Sequence, residues 1–394
     1  MSTSMATVAY DPFAYAMHDD PYPTYALLRD HFPVYRNEER GFWALSRFDD
    51  VRAAARDWRS FSSHPGVDLD GTGQEYGPGN FIDLDPPRHD ALRKVLRHAF
   101  VPKQVAGYEP AARAAVAEIA RTLEGRSTVD LADQVAWTLP VTMICELLGV
   151  PRDDRAALRS WLDRFMFRHD GVDRLPEDAV HALGAAAGYF RALIDERRRT
   201  PRDDVATTLT RAEVDGVPLA EDEIVSICLL LLAAGVETAA GLIASAFLVL
   251  AEHPVARRRL RATPDLIPAA IEEVLRLESP IQGLARTATV DVPVHDQVIP
   301  AGARVFLLFG AANRDGRRFD DPNAFDLDRE APKSLAFGEG IHFCLGAPLA
   351  RLEARVVLEQ LLPPLGDYVV DGPVERLHSH TTRAAVSLPV EVDA

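Results

Sequence analysis

The sequence predicts a mainly α-helical protein with small β-sheets, built as a single domain over residues 1–394 in which about 1–20 form an N-terminal tail. Residues 105–200 are rich in Ala and Leu at helical spacing. A second apolar run, 228–250, is long enough to form a central helix. Strand-like alternation is confined to short pieces, such as 287–309. No Ser/Gly linker, low-complexity run or fixed-period repeat divides the chain, which favours one core.

Composition and charge exclude several classes of protein. The formal net charge of −16 argues against a general affinity for nucleic acids or anionic membranes. The three cysteines are odd in number and widely spaced, which is typical of a reducing compartment. Glu237 lies in the middle of the apolar run, where a carboxylate would cost about 2.5–3.5 kcal/mol in a membrane. We therefore expect a soluble, cytoplasmic protein without a signal peptide.

Short elements precede the long helices. Proline punctuation predicts a helix over 22–31, and an apolar-aromatic run predicts a strand over 42–45. Helical spacing resumes over 48–58. The Gly-, Asp- and Pro-rich composition of 62–80 then predicts an irregular loop, and long loops of this kind are often functional.

A pair of basic residues marks the helix that follows this loop. Pro86 and Pro87 punctuate its start. His89 and Arg93 are four residues apart and so share one face of the helix. Two donors on one face can hold a carboxylate, although such a pair is more often only a solvated surface.

The central helix contains a glycine that needs a reason. Gly235 costs about 1 kcal/mol relative to Ala inside a helix. A missing side chain lets a flat ligand approach the backbone, and Thr238, three residues on, can bond back to a carbonyl of the preceding turn. The alternative is that Thr238 has no catalytic role and its hydroxyl bonds only to its own helix.

Glu273 and Arg276 form a predicted same-face ion pair at i,i+3. An exposed pair would contribute only about 0–1 kcal/mol. In a buried pair each ion needs its partner, since removing one costs about 3–5 kcal/mol. We interpret these residues as scaffold.

One cysteine has the surroundings of a ligand. Gly338 and Gly340 precede Cys344, and Pro348 leads into an apolar-periodic helix. The sulfur is therefore expected at a helix N-terminus, where the dipole lowers the pKa of a thiol. A lone Cys cannot build a tetrahedral zinc site, whereas one axial thiolate is enough for haem iron.

The run Phe337-x-x-Gly340-x-His342-x-Cys344-x-Gly346 resembles the haem-ligand signature of the cytochrome P450 family, in the bacterial variant with His two residues before the Cys. The segment 234–238, Glu273-x-x-Arg276 and the run 325–329 resemble further motifs of that family in the expected order. The resemblance covers about residues 20–390. It implies the P450 fold, with haem b between the long central helix and the Cys-loop helix.

The resemblance also implies roles for individual residues. Cys344 would ligate iron, and Glu237 and Thr238 would relay protons, with Glu in a place often held by Asp. Propionate ligands would be His89, Arg93, Arg286 and His342. Further haem contacts would be Ala234, Gly235, Phe337, Gly338 and Gly346. Expected substrate contacts are Phe81, Ile82, Phe165, Ile281, Gln282, Leu284 and Thr381.

The implied activity is an O₂-dependent monooxygenase that hydroxylates, epoxidises or dealkylates a small or mid-sized secondary metabolite or xenobiotic. No flavin or iron–sulfur segment is visible, so electrons from NAD(P)H would arrive through a separate ferredoxin (or flavodoxin) and its reductase. Lys94, Arg97 and Arg351 are candidate docking residues for that partner, and we expect a monomer. Two alternatives remain open, namely peroxide-driven or coupling chemistry at the same haem, and a haem-binding sensor without turnover.

Overall fold

The computed structural model of the protein describes residues 8–330 and 333–392. Within these ranges the fold is mainly helical with small sheets. The α-helices are α1 (Tyr15–Asp19), α2 (Tyr22–His31), α3 (Phe48–Arg56), α4 (Thr72–Glu75), α5 (Arg88–Phe100), α6 (Pro102–Ala106), α7 (Glu109–Leu123), α8 (Thr138–Leu148), α9 (Arg155–Met166), α10 (Glu177–Arg199), α11 (Val205–Thr210), α12 (Glu221–Glu252), α13 (Pro254–Ala262), α14 (Ile267–Leu277), α15 (Phe309–Ala312) and α16 (Ala347–Leu365).

The strands are short. They are β1 (Val34–Asn37), β2 (Phe42–Leu45), β3 (Phe61–Ser62), β4 (Thr128–Asp130), β5 (Glu213–Val214), β6 (Val217–Pro218), β7 (Leu284–Ala288), β8 (Val292–Val294), β9 (Gln297–Ile299), β10 (Arg304–Leu307), β11 (Tyr368–Val370), β12 (Glu375–Arg376), β13 (Ala385–Ser387) and β14 (Pro389–Val392). The largest sheet has the order β1-β2-β10-β7-β3, in which only β2 and β10 run parallel. The order β11-β14-β4 forms a second, antiparallel sheet.

Helix α12 is the centre of the main core. Its first turn is acidic, which suits the helix dipole, and Glu223 accepts the backbone N–H of Ala220 at 3.1 Å. The rest of the helix is apolar nearly all round and packs against α8, α10, α14 and α16. It is long and apolar enough to cross a membrane, yet 78% of its most apolar window is buried inside the protein. This helix is therefore a core element, as expected from Glu237 in its middle.

The predicted scaffold ion pair is buried and extended. Arg276 binds both carboxylate oxygens of Glu273 at 2.8 Å, and Arg329 adds a third contact at 3.0 Å. Arg276 also donates to three backbone carbonyls, including that of Asn313 at 3.0 Å. These bonds tie α14 to the segment that leads into the Cys344 loop.

Several predicted boundaries differ from the observed ones. Helix α3 ends at Arg56 rather than at 58, and the predicted loop over 62–80 contains the short helix α4. Within the segment predicted as an N-terminal tail, Tyr10 is buried and packs edge-on against Tyr25 and Phe42. These aromatic contacts hold the segment against α2 and β2, while residues 1–7 lie outside the described ranges.

Candidate active site

The Cys344 loop is shaped by two glycines in the left-handed region. Gly338 has φ = 70° and Gly340 has φ = 71°, conformations that side chains disfavour. A Cβ on Gly340 would also lie 3.0 Å from the carbonyl oxygen of Ala55, so α3 approaches the loop closely. The backbone N–H of Cys344 donates to the carbonyl of Phe337 at 2.8 Å and closes the loop. The expected loop before α16 is therefore present.

The pKa of the Cys344 thiol differs from the sequence-based expectation. Burial raises it above the ordinary value, and this effect outweighs the lowering by the backbone N–H groups of Gly346 and Ala347 and by Arg93 and Arg351. The expected lowering at a helix N-terminus exists, but desolvation is the larger effect. A further positive charge close to the sulfur would lower the pKa of the thiol.

A main cavity of about 260 Å³ lies between α12, the Cys344 loop and β7, and it is lined mostly by apolar side chains. It brings together residues that are more than 200 positions apart in the chain. Of the predicted cofactor and catalytic residues, those that line it are Arg93, Ala234, Gly235, Thr238, Arg286, Phe337, Gly338, His342, Cys344 and Gly346.

Four basic groups gather at one side of this cavity. The rings of His89 and His342 are 4.3 Å apart, and Arg286 is buried with one bond, at 2.7 Å, to the carbonyl of Ala285. Burial and the positive charges of Arg286, His89 and Arg93 lower the pKa of His342 to about 2. Burial lowers the pKa of Arg286 to about 10. Two guanidinium groups beside two imidazole rings suit an anionic ligand, which would also favour the protonated form of the rings.

One ring nitrogen of His89 is available to such a ligand. Its Nδ1 lies 2.8 Å from the carboxylate of Asp90, while its Nε2 is buried and has no hydrogen-bond partner among the described residues. Buried polar atoms are nearly always paired, so an unpaired one requires an explanation. Because Nδ1 donates to Asp90, Nε2 can donate to a carboxylate only from the protonated ring. Burial lowers the pKa of His89, and a second carboxylate at Nε2 would raise it.

The two residues of α12 singled out by the sequence, Gly235 and Thr238, both line the main cavity. The hydroxyl of Thr238 donates to the carbonyl of Ala234 at 2.8 Å, one turn back. A Cβ on Gly235 would come within 3.0 Å of the Ile144 side chain, which also lines the main cavity. The glycine therefore allows close packing of α12 against α8 beside the cavity.

Glu237 faces a second, smaller cavity, which we call the side pocket. It has a volume of about 140 Å³. The Glu237 carboxylate accepts the hydroxyl of Thr382 at 3.2 Å. Burial raises the pKa of Glu237 to about 7, against smaller lowering effects of Arg168 and Thr382. The polar residues that line the side pocket are Asp68, Thr72, Asn80, Asp83, Arg168, Glu237, Thr238, Ser379, His380, Thr381 and Thr382.

Comparison with known proteins decides the family. The family model described as Cytochrome P450 matches residues 159–364, more than half of the chain. A curated relative, the putative cytochrome P450 123 of Mycobacterium tuberculosis, is 41% identical over 98% of this chain and 97% of its own length.

This chain belongs to the cytochrome P450 family. The monooxygenase PikC of Streptomyces venezuelae is 38% identical over 89% of this chain and 85% of its own. The solved structure of cytochrome P450 CYP109Q5 from Chondromyces apiculatus is 37% identical and superposes with a TM-score of 0.88 over 98% of this chain and 99% of its own.

The chain is accordingly a haem-thiolate monooxygenase. It uses haem b, O₂ and electrons derived from NAD(P)H, and it acts on small organic molecules. The fold and family expected from the Cys344 signature are confirmed.

The predicted substrate residues of this P450 divide between the two cavities. Phe81 lines the main cavity; Phe165 and Thr381 line the side pocket. Residues that line both are Ile82, Ile281 and Leu284. Gln282 differs from the expectation, because its amide turns away and donates to the carbonyl of Ser279 at 2.7 Å. In a strand-like segment successive side chains alternate, so Gln282 points to the opposite side from Ile281.

Sequence reasoning missed several ionisable residues that the P450 fold places at these cavities. Glu353 lines the main cavity, is 2% exposed, and has an Oε2 without a partner among the described residues. Burial raises the pKa of Glu353 to about 8. Asp68, Asp83 and Arg168 line the side pocket. The Asp-rich composition of 62–80 was the available signal for Asp68, whereas Arg168 and Glu353 have no distinctive local pattern.

Proposed function

We propose that the main cavity of this monooxygenase would hold haem b, with Cys344 as the residue that binds its iron. The observation that carries the assignment is that one cavity is lined by a lone thiol, a cluster of basic groups and an α12 hydroxyl. An iron cation bound to the sulfur would favour the thiolate and so oppose the burial that raises the pKa of Cys344.

His89, Arg93, Arg286 and His342 are proposed to bind the two propionates. The unpaired Nε2 of His89 and the crowded positive charge around His342 fit two carboxylates. Ser63 donates to, or accepts from, the Nε2 of His342 at 2.9 Å and so fixes the ring for this role. Ala234, Gly235, Phe337, Gly338 and Gly346 would contact the faces and edges of the macrocycle.

When bound, the haem supplies O₂ activation and oxygen transfer to the substrate. Thr238 and Glu237 are proposed to deliver the protons that this chemistry consumes. Thr238 lines both cavities and so lies between the side pocket, which Glu237 faces, and the main cavity. A pKa of about 7 lets Glu237 hold and release a proton near neutral pH.

The substrate is proposed to be a secondary metabolite or xenobiotic of small or middle size, hydroxylated, epoxidised or dealkylated in the main cavity. The mostly apolar lining supports an organic molecule. Among the structural neighbours, HmtN is described as a post-tailoring hydroxylase of himastatin biosynthesis, and CYP109E1 was solved with testosterone. We propose residues Phe81, Ile82, Phe165, Ile281, Leu284 and Thr381 as substrate contacts.

Electrons are proposed to come from a separate ferredoxin (or flavodoxin) and its reductase, to a monomer in the cytoplasm. Lys94 and Arg97 are exposed on α5, the helix that also carries Arg93. Arg351 is a weaker docking candidate than the sequence suggested, because it already binds Glu272 at 2.5 Å and 3.0 Å and stacks on Phe337. A docking surface at Lys94 and Arg97 would attract an acidic partner.

Replacing the ligand tests the assignment. Cys344→Ser is expected to abolish the thiolate signature in the spectrum of the reduced carbon monoxide complex. Cys145→Ser, at a buried cysteine that lines neither cavity, is the matched control. An unchanged spectrum in Cys344→Ser would overturn the assignment.

The proton relay has its own test. Thr238→Ala is expected to lower product formed per NAD(P)H by about tenfold or more, while NAD(P)H oxidation continues. Ser245→Ala removes a buried hydroxyl from the same helix and should leave the ratio unchanged. Equal coupling in the two variants would remove Thr238 from the relay.

A further inference from the structure

We propose that the side pocket binds a protonated amine carried by the substrate, so that the natural substrate is an organic cation with its ammonium group at one end. This inference rests on the proposed function, because it concerns what the monooxygenase holds beside its main cavity.

Three carboxyl groups line the side pocket. Asp68 accepts the backbone N–H of Gly73 at 2.6 Å. Asp83 accepts the backbone N–H of Val67 at 3.0 Å. Gly73 lies between the two acids, since a Cβ there would contact oxygens of both carboxylates. Glu237 approaches from α12 and is held by Thr382. The acids thus converge from two separate parts of the chain.

Four basic groups lie near the three acids. Arg286, whose charge lowers the pKa of Asp83, donates to the carbonyl of Ala285, and the other three also bind elsewhere. Arg168 forms an ion pair with Asp70 at 3.0 Å and donates to the carbonyl of Phe165 at 2.7 Å. Arg304 donates to the hydroxyl of Thr287 at 2.9 Å and to the backbone carbonyl of Asp68. The third, His380, accepts the Leu69 N–H at its Nε2, at 3.2 Å. Within residues 8–330 and 333–392, neither Asp68, Asp83 nor Glu237 has an ion-pair partner.

The pKa values of all three acids are raised. Burial raises the pKa of Asp68 to about 7 and that of Asp83 to about 6. The pKa of Glu237 is raised to about 7 for the same reason. A cation beside Asp68 and Asp83 would stabilise the charged form of these two groups.

Asn80 is a second and independent sign of a ligand. It is 4% exposed and lines the side pocket. Its Nδ2 donates to Asp83 at 2.7 Å and to the carbonyl of Gly73 at 3.1 Å, whereas its Oδ1 is buried without a partner among the described residues. An unpaired buried acceptor suits an N–H donor, and an ammonium group provides several.

The pocket walls fit the alkyl part of such a group. Tyr76 and Phe165 both line the pocket and meet edge-to-face at a centroid distance of 5.5 Å. Aromatic faces attract an alkylated ammonium group. Ile82, Ile281 and Leu284 line both cavities, so a molecule anchored by its amine extends directly into the main cavity.

A matched pair of probes tests the proposal on the haem-loaded enzyme. The 2-(dimethylamino)ethyl ester of decanoic acid carries a protonated tertiary amine with an N–H near neutral pH, and 3-methylbutyl decanoate is its neutral carbon isostere. Calorimetric titration is expected to give a Kd for the cation about tenfold lower than for the isostere, equivalent to about 1.4 kcal/mol. Equal affinities, or tighter binding of the isostere, would overturn the proposal without any variant.

Substitution then locates the preference. In Asp68→Asn/Asp83→Asn the ratio of the two Kd values is expected to approach one, and in Asp296→Asn, an exposed acid in the β8–β9 turn, it should stay as in the wild type. If the double variant still binds the cation more tightly than the isostere, the side pocket is not the site. If the double variant fails to fold, Asp83→Asn alone is measured instead, and the ratio of the two Kd values should fall in part. The reduced carbon monoxide spectrum of the same samples separates failure of this inference from failure of the haem assignment.

Discussion

Two groups of buried acids in this P450 differ in how their charge is balanced. Glu273 is 2% exposed, and its two carboxylate oxygens bind Arg276, Arg329 and the backbone N–H of Asp326. Asp68 and Asp83 in the side pocket accept backbone N–H groups but have no cationic partner among the described residues. The charge of Glu273 is neutralised by arginines of the same chain, whereas Asp68 and Asp83 face a cavity without such a partner.

The difference separates structural charges from charges available to a ligand. A buried ion with all its partners inside the chain holds elements together, and breaking it leaves an uncompensated charge. A buried acid that faces a cavity without a partner is destabilised in its ionised form and gains from a ligand of opposite sign. Substitutions in the two groups should therefore change the free energy of unfolding in opposite directions.

The largest effect is expected at Arg276. Arg276→Leu leaves Glu273 buried with Arg329 as its remaining ion-pair partner and removes the bonds to three carbonyls. Loss of one partner of a buried pair costs about 3–5 kcal/mol. Denaturation in urea should show a correspondingly lower midpoint.

Arg191→Leu is the matched control, because the Arg191–Asp222 pair, at 3.1 Å, is exposed on α10. An exposed pair contributes about 0–1 kcal/mol. If both variants unfold at the same urea concentration, the Glu273 network is not the structural element that its contacts indicate.

A lone buried carboxyl should give a pH-dependent effect of intermediate size. The pKa of Glu353 is raised to about 8 in the folded protein, against about 4.3 when unfolded. The folded state thus binds more protons in this window, so the contribution of Glu353 to stability is complete below about pH 4.3 and is lost as the pH rises towards 8. Glu353→Gln should therefore unfold later than the wild type at about pH 8, by about 1–3 kcal/mol.

The comparison at low pH checks the cause. At about pH 4.3 and below, Glu353 is neutral in both states, and the two proteins should have similar stability. Glu359→Gln, at a carboxylate that Arg113 binds at 2.6 Å, is the control and should show no gain at high pH. A gain in Glu353→Gln that is the same at both pH values would exclude titration as its cause.

The parts of the site predicted from sequence are those set by local geometry. The glycines before Cys344, the bond from Thr238 to Ala234 and the i,i+3 pair of Glu273 and Arg276 all depend on neighbours within a few residues. A long uninterrupted apolar run also suffices to identify a buried central helix.

The parts that were missed depend on tertiary placement. The thiol of Cys344 has a raised pKa because the whole fold desolvates it, which a helix N-terminus alone does not indicate. The side pocket combines Asp68, Arg168, Glu237 and His380, whose separation in sequence conceals their proximity. Gln282 turns away from the cavity because its neighbour Ile281 faces it.

The smallest effect is expected at Asp83, and its sign decides the comparison. The pKa of Asp83 is raised to about 6 by burial, so at about pH 8 the folded protein holds it in the less favourable charged form. In Asp83→Asn the oxygen of the new amide still accepts the Val67 N–H. A 180° rotation of the Asn80 amide would let its unpaired Oδ1 accept the N–H of the new side-chain amide at position 83. We therefore expect unfolding in urea to be unchanged or later by up to about 1 kcal/mol at about pH 8. The gain should disappear at about pH 4, where Asp83 is neutral in the folded state. If Asp83→Asn instead lowers the free energy of unfolding nearly as much as Arg276→Leu does, Asp83 is a structural charge like Glu273. It would then not be available to bind a cation in the side pocket.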